Sequence, residues 1–155
     1  MSNDAGAGPP VTLSREAFLA LAREVLARQP FSVLLGAEIV AIEPGCCEIA
    51  LALDERLKQQ HGFAHGGVLA YLADNALTYA GGTAMRVPVV TAEMKINYVR
   101  PAIGERLVAR AQALATGRSQ SVCRCEVYAI SAGEEKLVAL AQATIAHAAQ
   151  KDAPR

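Results

Sequence analysis

Neither sign of charge predominates in this sequence: fifteen Lys and Arg balance fifteen Asp and Glu among 155 residues. No long-range positive field is available to hold a phosphate backbone or an anionic bilayer, which argues against nucleic acid and membrane as partners. Also missing is any run of roughly 18 uninterrupted apolar residues, the length a membrane span needs. The opening MSNDAGAGPP has neither the basic n-region nor the apolar h-region of an export signal. These absences set the expectation of a soluble, cytoplasmic protein. The four cysteines stand as Cys46-Cys47 and Cys123-x-Cys125, so the C-x-x-C spacing that lets two thiolates grip one zinc is lacking. No metal or other cofactor is expected, and the thiols read as reduced, small strand residues. Tryptophan is absent and histidines number three, so few groups remain to carry chemistry.

What the sequence does have is apolar bulk: 52% hydrophobic residues against 19% charged is a folding composition, and the length suits one core. Residues 1–12, rich in Gly, Pro, Asn and Asp, read as an N-terminal tail, 13–148 as a single domain and 149–155 as a C-terminal tail. Ser14 is a plausible cap for an amphipathic helix carrying Phe18, Leu21, Ala22, Val25 and Leu26, which Pro30 closes. Two strands, 38–43 and 46–54, flank the turn Pro44-Gly45. Beyond Pro88 the period of two is plain: Val90, Ala92, Met94, Ile96 and Tyr98 form the face expected to be buried, with Thr91, Glu93, Lys95 and Asn97 on the wetter side. Three further strands, 107–115, 121–130 and 135–147, follow through short turns and predict an antiparallel meander.

Between the strand groups lies GGVLAYLADNALTYAGGT, residues 66–83, whose Val68, Leu69, Leu72, Ala73, Ala76, Leu77 and Ala80 cover far more than one face of a helical wheel. Such a helix must be buried almost all round. A curved antiparallel sheet wrapped about one apolar helix, a two-layer α+β architecture, meets that demand. Within this helix Asp74 is out of place, because Asp is a weak helix former and costly to bury without a partner. At ~100° per residue it shares its side with Gly67, Ala70, Tyr71, Thr78 and Gly81, a stripe narrow enough to form a ligand slot. His65-Gly66-Gly67 precede the helix, where first-turn N–H groups lack intrahelical acceptors and can stabilise an oxyanion. Gly66 and Asp74 are eight residues apart, roughly 12 Å at 1.5 Å rise, too far for one carbonyl to touch both. Acting on one substrate, they must come from two chains across a two-fold axis.

Residues 59–67 (QQHGFAHGG), then Leu72-Ala73-Asp74-Asn75-Ala76, then the strand ending Tyr98-Val99-Arg100-Pro101 resemble hotdog-fold acyl-CoA thioesterases of the phenylacetic-acid-pathway (PaaI) type. The resemblance covers most of residues 31–148. It implies hydrolysis of an acyl-coenzyme A thioester, with CoA as part of the substrate, in a homodimer often paired into a tetramer. Asp74 falls on the catalytic carboxylate, as general base or nucleophile. Gly66 falls on the amide that holds the thioester oxygen, His65 on the histidine beside it, and Gln59 where relatives carry an Asn or Gln placing water or thioester. Thr78, one turn on, would bond the reacting group, the carboxylate or its own helix. Thr91, Ala92 and the turn Gly117-Arg118-Ser119 resemble positions lining the coenzyme A groove, and Arg118 suits a phosphate.

Two other functions share the scaffold: hydration of an unsaturated acyl thioester, for which the H-F-P motif is missing, and acyl-CoA binding without catalysis, in which Asp74 would be structural. Tyr71, Tyr79, Phe63 and Met94 are candidates either for an acyl pocket or for core, and the acyl group itself is not readable.

Overall fold

The computed structural model describes residues 13–148, so the two expected tails, 1–12 and 149–155, lie outside the described residues. Ser14 does cap the first helix, its Oγ accepting the Ala17 N–H at 3.2 Å, and α1 runs Arg15–Ala27. Pro30 then does more than end it. As the first residue of a second short helix, α2 (Pro30–Leu35), it uses its fixed φ and missing N–H where neither is a handicap. Gly36, at φ 68°, closes α2 in the left-handed region.

Strands β1 (Glu38–Glu43) and β2 (Cys46–Ala52) meet at the expected turn, with Glu43 opposite Cys46. The second is two residues shorter than its sequence suggests, because Asp54 turns to cap a 3₁₀ segment, Glu55–Leu57, accepting the Arg56 N–H at 2.8 Å. The long helix α3 spans Gly66–Met85, and β3 (Val89–Tyr98), β4 (Arg106–Thr116), β5 (Gln120–Ser131) and β6 (Glu134–His147) follow. All pairings are antiparallel in one six-stranded sheet of order β1-β2-β4-β5-β6-β3, so β4, β5 and β6 form the meander and β3 returns to the far edge.

The sheet curls around α3, which buries Val68, Leu69, Leu72, Ala73, Ala76, Leu77, Ala80 and Gly81. Each of the seven apolar positions read from the sequence is among them. The small ones, Ala73, Ala76, Ala80 and Gly81, let strand and helix backbones approach. The limiting case is Gly81, where an added Cβ would sit 2.7 Å from Ile145 Cβ on β6. Cys47, Cys123 and Cys125 are buried, Cys46 is half-buried, and all four are free thiols. Burial first, then the Glu126 charge, pushes the Cys125 thiol up to about 12, so it behaves as a neutral core residue.

The buried face expected for β3 is only partly found. A register shift between Thr91 and Glu93 against β6 marks a bulge at Ala92. Met94 and Ile96 pack inward, but Val90 and Tyr98 are about half exposed, and Thr91 on the supposed wetter face turns toward α3 instead. One inserted residue reverses the alternation.

Candidate active site

Asp74 lies mid-way along α3, half-buried, on the side of the helix that faces β3. Its Oδ1 accepts the Thr91 hydroxyl at 2.7 Å, while Oδ2 accepts nothing from the described residues. The Thr78 hydroxyl bonds back to the Asp74 carbonyl at 2.8 Å and lies 3.0 Å from Thr91 Oγ1. A carboxylate, two hydroxyls and one uncommitted oxygen thus share one spot on an apolar helix. One oxygen is fixed in direction and the other is left to take a proton or attack a carbon.

The start of α3 forms the second half. His65 is the N-cap, its Nδ1 accepting the Gly67 N–H at 3.0 Å. His65 is therefore occupied in holding the helix entrance. The N–H of Gly66, first residue of the helix, has no intrahelical acceptor. The Tyr98 hydroxyl donates to the Gly66 carbonyl at 3.0 Å, and its ring would lie 3.4 Å from any Cβ placed on Gly66. Tyr98 escaped the sequence reading, which put it in the core. Gln59, Phe63, Gly66, Leu69, Tyr98 and Pro101 line a groove of about 330 Å³ beside this entrance. Gln59 also stiffens its own turn, its Oε1 accepting the His61 N–H at 2.9 Å.

The structure therefore gathers the named residues into three places. Asp74, Thr78 and Thr91 meet at the middle of α3. Gln59, His65 and Gly66 meet at its start. Gly117, Arg118 and Ser119 form the β4–β5 turn, where the Gly117 N–H donates to Gln120 and the Ser119 carbonyl accepts from His147. Ser121, just beyond this turn, and Thr91 both oppose Ile145, so Ser121 stands two strand spacings, roughly 10 Å, from Thr91. Ala92 occupies the bulge and is exposed. Asn75, beside the carboxylate, bonds Gln29 Oε1 at 3.2 Å and Ser32 Oγ at 3.3 Å, tying α2 to α3. Of the proposed pocket aromatics, Phe63 lines the groove and Met94 packs on the core. Tyr79 also packs on the core, with its hydroxyl 3.5 Å from the Ala22 carbonyl, and Tyr71 lies edge-on to Phe31.

The profile of the Thioesterase superfamily matches residues 61–136, which contain Gly66, Asp74, Thr78 and Thr91. A crystal structure of a thioesterase family protein from Silicibacter pomeroyi is 39% identical with a TM-score of 0.77, covering 80% of this chain and 93% of that one. The chain belongs to the thioesterase superfamily. Within this superfamily it is a hotdog thioesterase of the PaaI type, a thioester hydrolase built on a sheet wrapped around one helix. A 1,4-dihydroxy-2-naphthoyl-CoA hydrolase of Listeria monocytogenes is 28% identical over 114 residues, 72% of this chain and 90% of its own. The acyl-coenzyme A thioesterase PaaI of Escherichia coli is 30% identical over 94 residues, 60% of this thioesterase and 66% of its own length. Among the described residues no helix is long and apolar enough to cross a membrane, and no group of three His, Cys, Asp or Glu side chains could hold a metal ion.

Proposed function

We propose that this thioesterase hydrolyses an acyl-coenzyme A thioester to the free acid and coenzyme A at sites shared by two chains. The observation that carries the reading is the Asp74 carboxylate, held by Thr91 through one oxygen and uncommitted through the other. On the general-base route Asp74 takes a proton from water as the water oxygen adds to the thioester carbon. The tetrahedral adduct then collapses, breaking the C–S bond and releasing the coenzyme A thiolate, which takes the proton back from Asp74. On the nucleophilic route Asp74 adds directly, expels the thiolate and leaves a mixed anhydride that water then cleaves. Either way the carbonyl oxygen becomes an oxyanion, and the Gly66 N–H of the second chain is the donor, worth about 3 kcal/mol in comparable sites. Gln59 and His65 hold the loop that presents this donor.

The edge strand supports the two-chain arrangement. Among the described residues no strand follows beyond β3 in the sheet, and ten residues of open edge invite a second copy. Thr91 is tied to Asp74 near one end of β3 and Tyr98 to Gly66 at the other. Pairing two β3 strands antiparallel about a point near Lys95, past the middle of the strand, would set Thr91 opposite Tyr98 of the second copy. It would thereby set Asp74 opposite the other chain's Gly66, closing a gap of roughly 12 Å that no single helix can close.

The test is thiol release across short, medium, long and aryl acyl-CoAs by the parent, Asp74→Asn and Asp74→Ala, with acyl-CoA binding measured alongside. Removing the carboxylate should lower turnover by roughly 10²–10⁴-fold while binding changes little. Variants as active as the parent would remove Asp74 from the mechanism, and a parent inactive on the whole panel would leave a binding module.

A further inference from the structure

Resting on the two-chain site just proposed, one consequence concerns the far end of α3. With Asp74 opposite the partner's Gly66, the two helices overlap only over their first nine residues. Residues 75–85 run on past the start of the other helix. Along this overhang Asp74, Thr78, Gly82 and Arg86 recur every four residues, a single slowly winding ridge with a small side chain, then none, between the carboxylate and the arginine. Gly82 leaves no room for more: a Cβ there would come 3.0 Å from Val89 Cγ2.

Arg86 ends the ridge in an unusual way. It caps α3 at φ 58°, the left-handed region where glycine is the ordinary choice, with its N–H donating to the Gly82 carbonyl at 2.8 Å. A Cβ is strained there, yet the position holds a long, exposed cation that forms no ion pair with any described carboxylate. It borders a cavity of about 900 Å³ with Phe18, Ile42 and Pro88 among its apolar walls and Arg15 and Glu43 at its polar side. From Asp74 to Arg86 is twelve residues, roughly 18 Å. Arg118 stands at the same end of the molecule, since the start of β3 is joined to β6 by Ala148 N–H to Pro88 and β6 to the Arg118 turn by His147 N–H to Ser119.

A coenzyme A thioester carries its reacting carbonyl at one end and its anionic nucleotide at the other, separated by a flexible pantetheine arm. From Asp74 one direction leads across the interface toward the smaller groove at the helix start, which suits the acyl group. The other leads down the Thr78–Gly82 ridge to the Arg86 guanidinium, exposed beside an apolar recess. We propose that Arg86 is a binding residue for the phosphates of the coenzyme A nucleotide, with the adjoining cavity receiving the base.

The experiment compares the parent with Arg86→Gly and Arg86→Lys on an acyl-CoA and on the matching acyl-pantetheine, which lacks the nucleotide. Glycine suits the backbone at this position, so Arg86→Gly keeps the fold, as a thermal melt verifies. With acyl-CoA its KM should rise about tenfold and kcat stay within about twofold, as expected for a lost charge-assisted contact. With acyl-pantetheine KM should stay at the parent value, and Arg86→Lys should recover part of the loss. An unchanged KM for acyl-CoA, or an equal rise with both substrates, overturns the Arg86 assignment while the thioesterase reading stands. A parent that cleaves neither substrate overturns both together.

Discussion

Thr91 shows how much one hydroxyl can depend on its backbone. It reaches Asp74 at 2.7 Å from an edge strand because the bulge at Ala92 turns it inward. Replacing it by valine keeps the shape and removes the donor, so one carboxylate oxygen loses its fixed direction. For Thr91→Val we expect kcat to fall about tenfold with little change in KM, and Thr91→Ser to recover most of it, as stopped-time thiol assays would read. Equal losses in both variants would point to packing instead of the hydrogen bond. Asp74 itself was legible in the sequence because an acid inside an apolar helix is an anomaly that needs a cause. Thr91 as its partner was not, since period-two alternation places it on the opposite face and nothing in the local residues announces the extra one. Tyr98 was hidden for another reason: it keeps the parity of Met94 and Ile96 but stands at the end of β3, half exposed, where its hydroxyl reaches the Gly66 carbonyl.

At the scale of elements, the strands and α3 were read nearly whole, because alternation, turn residues and an all-round apolar helix each leave a periodic trace. The second helix was not. Pro30 ends one helix and begins the next, and six residues containing exposed Phe31, Val33 and Leu34 present no period to detect. Close packing was equally invisible: Gly81 looked like part of the stripe around Asp74, yet it is buried against β6. A glycine inside a helix costs about 1 kcal/mol relative to alanine, and here the contact with Ile145 forbids the exchange. Gly81→Ala should therefore destabilise by about 1–3 kcal/mol in urea unfolding. Ile145→Ala alone should also destabilise, but the double variant should be more stable than the sum of the two losses, since one cavity accommodates the other's methyl. Strict additivity would show that the two residues do not share this space.

For the whole molecule, the decisive quantity is the spacing of Gly66 and Asp74 on one helix, which the sequence already displayed and which divides each proposed site between two chains. Mixing separately tagged Asp74→Asn chains with chains whose Gly66 is replaced by valine tests this division. The added side chain meets the Tyr98 ring and blocks the donor. Each homodimer of one variant should be inactive, while a mixed dimer should regain one working site of two, about half the parent rate per dimer. No recovery in purified mixed dimers would return both groups to a single chain. The fold and the acid were thus readable from pattern and cost, whereas the alignment of two copies depends on an edge that only the sheet order exposes. Whether residue 91 greets the acid or the solvent is decided by the parity of the residue count between Pro88 and Met94, not by which amino acids fill it. Deleting Ala92 would leave every chemically active side chain in place by name and still disarm the centre.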